Sequence, residues 1–295
     1  MNRLTLVIPV YNRANVVTRT LASVEAQTAR DFDIILVDNN STDGSADVLR
    51  SWCESSSRNV RMLNESRKGA ASARRCGAEA ADTEWLMFFD SDDVMAPGHI
   101  ARILDAIESS PDADVIGWDI MLRYGVFDRL GDFVEKNAQY RSLLNGTMGT
   151  QRYCVRRSVY ERAGGWCPEV SVWDDIELGA RILDLNPKIA KLKGAPMVDV
   201  YLQPDSITHG ESARNYEVIE RALTRIAATL GPERAHWVNL KRIIVAAKEP
   251  DETLSKALLQ RIIEGAASRR ALLRFAYFYT RRGGRGIARL LQPFM

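Results

Sequence analysis

Apolar runs and amphipathic stretches alternate through the first 120 residues. The run Leu4-Thr-Leu-Val-Ile-Pro-Val10 predicts a buried strand, and Val17, Leu21 and Val24 at i, i+4 and i+7 predict a helix within Asn15–Gln27. Phe32–Val37 reads as a second strand, and Ser45–Cys53 as a helix after the turn residues Asn40-Ser-Thr-Asp-Gly44. Val60–Leu63 is a short strand and Gly69–Ala81 an Ala-rich helix. Trp85–Phe89 is an apolar strand that stops at Asp90-Ser-Asp-Asp93. Ile100, Ile103, Leu104 and Ile107 mark another helix, with Pro97 near its first turn, and Val115–Trp118 another strand. Such alternation predicts a parallel sheet covered on both faces, with right-handed crossovers and a ligand crevice at the carboxyl ends of the strands. Three polar clusters follow strands, at Pro9–Asn12, Asp38–Asp43 and Asp90–Asp93, and are expected on one edge.

The pattern weakens from Ile120 to Val172. Tyr124-Gly-Val-Phe127 fits a hairpin, and Gly146-Thr-Met-Gly149 and Gly164-Gly-Trp166 read as loops. Asp174–Asp184 is helical, with Ile176, Ala180 and Leu183 on one face, and Val198–Leu202 is a final strand. Beyond Ser212 only helices are expected: Glu217–Leu230, Arg234–Lys248, Glu252–Glu264 and Leu272–Tyr279. The chain thus divides into an α/β unit over 1–212, in halves 1–119 and 120–212, and a helical extension over 213–295.

The chain has 295 residues, 46% hydrophobic and 26% charged, enough to build a core and too apolar for wholesale disorder. The net charge is +2, so nothing global points to nucleic acid. Locally, Gln260–Met295 carries eight Arg against one Glu, a net of +7. None of Cys53, Cys76, Cys154 and Cys167 forms a Cys-x-x-Cys pair, so they read as reduced thiols in a cytoplasmic protein. No stretch approaches the roughly 20 apolar residues of a membrane span, and the N-terminus does not read as a signal peptide.

Candidate chemistry begins with Asp90, Asp92 and Asp93. Two carboxylates about 4 Å apart repel by about 4 kcal/mol at an effective dielectric near 20. Such a cluster at a strand end calls for a cation, and its hard oxygens suit Mg²⁺ or Mn²⁺, which can also hold a diphosphate. A solvated turn that caps the next helix is the alternative. Asp38 can accept a hydrogen bond from a ligand or close an Asx-turn. Tyr11 and Asn12, after Pro9, suit a planar base or an ordinary turn. Arg74, near the start of an Ala-rich helix, fits a phosphate site or a solvated surface. Trp173-Asp-Asp175 sets two carboxylates at a helix start, for a general base or a cap. His209 is the best placed of three histidines to complete a metal site begun by Asp92. No P-loop, Gly-x-Gly-x-x-Gly, His-Glu-x-x-His or Gly-x-Ser-x-Gly occurs, which excludes the common ATPase, dinucleotide, zincin and serine-hydrolase signatures.

In their order these elements resemble the family 2 glycosyltransferases of GT-A fold. Val7-Ile-Pro-Val-Tyr-Asn12 looks like that family's first strand and nucleotide loop. Val37-Asp-Asn-Asn-Ser-Thr-Asp-Gly44 is similar to its Val-Asp-Asp-Gly-Ser-Thr-Asp, with Asn39 and Asn40 in place of the second Asp and the Gly. Gly69–Gly77 resembles Gly-x-x-x-Ala-Arg-Asn-x-Gly, with Arg75 for the Asn. Phe89-Asp-Ser-Asp-Asp93, through Asp90, Ser91 and Asp92, matches Asp-x-Asp. Gly164-Gly-Trp166 and Trp173-Asp-Asp-Ile-Glu-Leu178 resemble the acceptor loop and the Glu-Asp motif.

The resemblance spans roughly residues 3–212. It implies a GT-A α/β sheet flanked by helices, a nucleotide-diphospho-sugar donor, most often a UDP-sugar, and Mn²⁺ or Mg²⁺. The acceptor implied is a saccharide or lipid-linked glycan in polysaccharide biosynthesis, glycosylated with inversion. It assigns Asp38 to uracil, Arg74 to the base or diphosphate, Asp90 to the ribose, Asp92 to metal and diphosphate, and Asp175 to the general base. A nucleotidyltransferase or a non-catalytic nucleotide-sugar-binding protein are the alternatives, and UDP release separates them. The Arg269–Arg282 segment mixes Arg with Leu, Phe and Tyr. That composition suits an anionic membrane face, packing on the rest of the chain, or a dimer contact.

Overall fold

The computed structural model describes residues 2–125, 127–201 and 216–294. The strands are β1 (Leu4–Val10), β2 (Asp33–Asp38), β3 (Val60–Asn64), β4 (Trp85–Phe88), β5 (Val94–Met95), β6 (Val115–Gly117), β7 (Ile120–Arg123), β8 (Asp128–Gly131), β9 (Tyr153–Arg156), β10 (Ile189–Lys191) and β11 (Val198–Tyr201). The helices are α1 (Val17–Glu25), α2 (Ser45–Ser55), α3 (Ala70–Glu79), α4 (His99–Ser109), α5 (Ala138–Asn145), α6 (Arg157–Arg162) and α7 (Asp174–Asp184). After the undescribed residues come α8 (Tyr216–Leu230), α9 (Ala235–Ala246), α10 (Glu252–Gly265), α11 (Arg270–Arg281) and α12 (Ile287–Leu291).

Seven strands form the main sheet in the order β10-β6-β9-β4-β1-β2-β3. Every residue of β1 is buried, as a central strand covered on both faces requires. One apolar layer joins Leu4, Leu6 and Ile8 to α1, α2 and α4, and the other joins Val7, Ile35 and Val37 to α3 and α7. The second layer is tight. A Cβ on Gly77 of α3 would stand 2.4 Å from Val7 Cγ1, so only glycine lets that helix lie this close to β1.

β1, β2, β3 and β4 are mutually parallel, and so are β6 and β10. The sheet is mostly parallel, as expected, and its one antiparallel member among the described residues is β9, which pairs with both β4 and β6. This four-residue strand shows no sequence period of its own, because Cys154 is buried in one face layer and Tyr153 and Val155 in the other. A smaller sheet, β5-β11-β7-β8, contains the expected hairpin, with β7 antiparallel to β8.

The expected boundary at residue 212 lies outside the described residues, but the helices beyond it are integrated with the α/β part. Ile219, Leu223 and Ile226 of α8 share a core with Leu143 of α5 and with Val172, Ile176 and Ala180 in and before α7. Arg225 of α8 reaches Glu177 of α7 at 3.0 Å. α10, α11 and α12 build a further core on α9 around Ile243, Leu258, Ile262, Leu273 and Tyr277. Among the described residues, no helix is long and apolar enough to cross a membrane.

Candidate active site

The carboxyl ends of β1, β2 and β4 bring the three polar clusters together. Asn12, in the left-handed region at φ 50°, turns the chain out of β1. Its Oδ1 accepts from the Thr42 N–H at 2.8 Å, and its own N–H donates to Ser41 Oγ at 3.1 Å. The Ala14 N–H donates to Asp43 at 3.0 Å, so the first two clusters are laced into one surface. Pro9 is buried within β1 and reaches no loop. Tyr11 is exposed, with Lys68 Nζ 5.3 Å from its ring centre.

Asp38 ends β2 almost fully buried, and its carboxylate accepts from the Ser41 N–H and from Asn64 Nδ2 at 3.2 Å. Asn39 is a structural clamp: it donates to the carbonyls of Glu65 and Arg67 and accepts from the Gly69 N–H, each at 2.8 Å. These bonds hold the start of α3 against the second cluster. Asn40 takes the left-handed turn at φ 63° where the resembled pattern has glycine. Asn tolerates that conformation better than most residues, so the replacement keeps the turn.

The three aspartates after β4 face different surroundings. Asp90 accepts from Arg74 at 2.7 Å and from Gln151 Nε2. Asp92 lies 3.6 Å from Arg13 Nε, and its carbonyl accepts from Arg19. Ser91 between them is buried. Asp93 is buried and accepts the Tyr201 N–H at 2.9 Å, tying the cluster to β11. Burial, with the charges of Asp90 and Asp92, raises Asp93 well above the usual carboxylate range. Asp93 is therefore a structural member, and Asp90 is already engaged by two donors. Asp92, beside Arg13, is the member to which the Asp-x-Asp resemblance assigns the metal. Among the described residues no three His, Cys, Asp or Glu side chains cluster as a metal site. That donor set fits a divalent ion only where a bound diphosphate completes its shell. His209 lies outside the described residues.

Arg74 is the hub of the site. Its buried guanidinium binds Asp90 and Asp174 at 2.7 Å each and stacks over Trp166 at 4.7 Å. Its burial disfavours the charge, but Asp90 and Asp174 outweigh that and hold it protonated. The solvated-surface alternative for Arg74 is thereby excluded, whereas Arg75 is exposed and pairs with Glu79 at 2.8 Å. Trp173, left-handed at φ 60°, precedes the first turn of α7 and sets Asp174 inward onto Arg74. Asp175 accepts its neighbour's Ile176 N–H at 2.8 Å. Burial pushes Asp174 up to about 6, with Arg74 pulling against it and Asp175 and Asp90 adding to it. Asp175 is raised too, by burial first.

Four partners of this site were not visible as such in the sequence. Gln151 and Arg13 meet Asp90 and Asp92, and Trp166 lies under Arg74. Lys241 of α9 lies with its Nζ 4.4 Å from the Trp173 ring centre. Burial brings that lysine down to about 8, with Lys248 adding and Asp175 opposing. Arg13 directly follows Asn12, and Trp166 stands in the Gly164-Gly-Trp166 motif, but neither signal names the partner. Gln151, Trp166 and Lys241 come from 61, 92 and 68 residues away from the residues they touch.

Comparison with known proteins agrees with this geometry. The family described as Glycosyl transferase family 2 matches residues 5–148. The succinoglycan biosynthesis protein ExoW of Rhizobium meliloti is 35% identical over 103 residues, 34% of this chain and 32% of its own. The chain spans between 15% and 37% of the length of the curated relatives it matches. Among solved structures, S. aureus TarS 1–349 superposes with a TM-score of 0.69 at 16% identity, covering 99% of this chain and 92% of that one. TarS 1–349 has also been solved with UDP-GlcNAc (TM-score 0.65). A mannosyltransferase from Pyrobaculum calidifontis, in complex with GDP-Man and Mn²⁺, gives 0.59 at 17% identity, covering 99% of this chain and 87% of its own. These structural likenesses establish the GT-A-type α/β fold.

Proposed function

We propose that the chain, whose residues 5–148 match the family 2 glycosyltransferases, transfers a sugar from a nucleotide-diphospho-sugar, a UDP-sugar in the first instance, to an acceptor hydroxyl with inversion. The observation that carries this reading is the acidic cluster of Asp90, Asp174 and Asp175 around one buried arginine, with Asp92 beside it, at the carboxyl edge of the sheet. The reading divides the chain into a catalytic unit over 1–212, with a donor half 1–119 and an acceptor half 120–212, and a helical extension over 213–295.

Each residue then has a task. Tyr11 offers an exposed ring for the base, and Asn12 and Asp38 offer polar groups beside it. Asp90, fixed by Arg74 and Gln151, accepts from the ribose. Asp92, together with the donor diphosphate, would hold Mn²⁺ or Mg²⁺. Such an ion supplies positive charge to the leaving diphosphate. His209 is a further candidate ligand. Arg13 and Arg19 add fixed positive charge at the same edge. Asp174 and Trp173 orient the first turn of α7, and Asp175 takes the proton of the acceptor hydroxyl. The acceptor oxygen forms its bond to the anomeric carbon from the face opposite the departing diphosphate. The bond to the diphosphate breaks, and the nucleoside diphosphate leaves. One carboxylate suffices because the leaving group needs positive charge and not a proton.

The succinoglycan relative supports an acceptor in polysaccharide biosynthesis, a saccharide or lipid-linked glycan. The TarS and mannosyltransferase complexes support UDP-GlcNAc and GDP-mannose as the first donors to try. The experiment is nucleoside diphosphate release from a panel of nucleotide sugars with Mn²⁺ or Mg²⁺. Acceptor-stimulated release from one donor is expected. Binding of donors without release by any metal and acceptor pair would favour a non-catalytic binding protein.

A further inference from the structure

The sequence readings of the C-terminal arginine-rich segment are separated by the helix that carries it. On α11, Leu273, Ala276 and Tyr277 are buried against α9 and α10. The opposite face carries Arg274, Phe275, Phe278 and Arg282, all exposed, at the spacing of one helical stripe. Phe275 is 50% exposed and Phe278 53%, well above what packing leaves on an aromatic ring. Leu290 at 51% and Phe294 at 63% follow close behind. Arg269 donates to the Phe294 carbonyl, which folds this end of the chain back to the start of α11. Four of the nine large hydrophobic side chains exposed among the described residues thus lie in the last stretch after Arg274.

The charge there has one sign. Residues 265–295 contain seven Arg and no Asp, Glu or Lys. Arg274, Arg282 and Arg285 are exposed, and among the described residues no carboxylate pairs with them. An apolar stripe framed by unpaired arginines has a specific complement: an anionic surface with an apolar interior. We propose that this face of α11 and the segment after it docks the chain on an anionic lipid bilayer. The phenyl rings enter the boundary between headgroups and acyl chains, and the arginines stay among the lipid phosphates. A second copy fits less well, because a two-fold contact sets this face on itself and opposes like charges. Nucleic acid would satisfy the arginines but would leave Leu290 and Phe294 facing water.

Vesicle co-sedimentation of the full chain tests this, independently of any transferase activity. Vesicles containing phosphatidylglycerol are compared with pure phosphatidylcholine at low salt. Binding to the anionic vesicles alone is expected, and it should weaken as the Debye length falls from about 30 Å at 0.01 M to about 10 Å at 0.1 M. Two variants change exposed side chains only: Phe275→Ser with Phe278→Ser, and Arg274→Gln with Arg282→Gln and Arg285→Gln. Each arginine is worth roughly fivefold in partitioning, so the triple variant should lose about 100-fold. Thermal melting checks that both variants stay folded. Several results overturn the proposal: no binding by the intact chain at low salt, binding that survives the Phe changes, or sedimentation velocity showing this face closed in a dimer. Oligoribonucleotide that displaces the vesicles while the Phe variant still binds them also overturns it.

Discussion

Arg74 Nη1 lies 2.7 Å from Asp174 Oδ2, and the two residues are 100 positions apart in the chain. This pair joins α3 to α7, and hence the proposed donor side of the crevice to the proposed acceptor side. The other arm of the same guanidinium holds Asp90. The pairing explains how three half-buried carboxylates, Asp90, Asp174 and Asp175, coexist at one strand edge.

Removing this cation is expected to destabilise the fold. Arg74→Met leaves the carboxylates without their shared partner. Breaking a buried pair costs 3–5 kcal/mol, and the partial exposure of Asp90 argues for the lower end, about 3 kcal/mol. Urea unfolding measures it. A loss under about 1 kcal/mol would show that water, not Arg74, compensates the acids.

Asp92→Ala is expected to abolish the metal dependence of donor binding while leaving the fold intact. Calorimetry with UDP-GlcNAc or GDP-mannose and Mn²⁺, with and without EDTA, reads it. If the wild type binds equally in EDTA, or the variant still responds to the metal, Asp92 is not the ligand.

Asp175→Asn keeps the shape and removes the basicity. A loss in kcat on the order of 10²-fold or more is expected, with donor affinity unchanged. Burial raises Asp174 to about 6 and raises Asp175 as well. A base must be deprotonated to act, so the rate should fall on the acid side at a pH above the range of an ordinary carboxylate. Asp174→Asn should act instead through stability, because it weakens the Arg74 pair. The reverse pattern, with Asp174→Asn inactive and Asp175→Asn active, moves the base by one position.

Lys241 is expected to be a positioning residue. Its ammonium holds the Trp173 indole at the left-handed turn that aims Asp175. With the lysine lowered to about 8, the cation is present below that pH and lost above it. The rate should therefore also fall above about pH 8. Lys241→Arg should remove this alkaline limb, and Lys241→Met should lower kcat below about pH 8, converging on the wild type above it, without changing donor affinity. An alkaline limb identical in Lys241→Arg would falsify the role.

His99 tests the core independently of function. It is buried beside Trp118, its ring nitrogens have no hydrogen-bond partner among the described residues, and burial lowers it from 6.5 to about 3. The folded state therefore holds it neutral while the unfolded chain takes up a proton as pH falls below about 6.5. Stability is full above that pH and declines by about 1.4 kcal/mol per unit down to about pH 3. About 2 kcal/mol should be lost between pH 6.5 and 5, and His99→Phe should flatten that part of the profile in denaturant titrations.

Much of the local structure was legible from sequence. β1 and α7 have the predicted limits, Leu4–Val10 and Asp174–Asp184, because burial on both faces and on one stripe leaves periods of its own. The helices beyond Ser212 were legible for the same reason, and the order of polar clusters after strands fixed the edge where chemistry had to lie. Strand β9 was not legible. Four residues carry no period, and its antiparallel place between β4 and β6 depends on partners distant in the chain.

The same limit governs the site. Sequence alone placed Asp90, Asp92 and Asp93 side by side, and only the Asp-x-Asp resemblance distinguishes them, without naming their partners. Only the tertiary structure gives Asp90 to Arg74 and Gln151, sets Asp92 near Arg13, and spends Asp93 on the Tyr201 N–H. It alone brings Lys241 from α9 over Trp173 and turns Phe275 and Phe278 outward while Leu273 and Tyr277 turn in. Periodicity records which side of an element is buried. The charge state and partner of a polar group depend on what the fold packs against it, and no spacing along the chain encodes that.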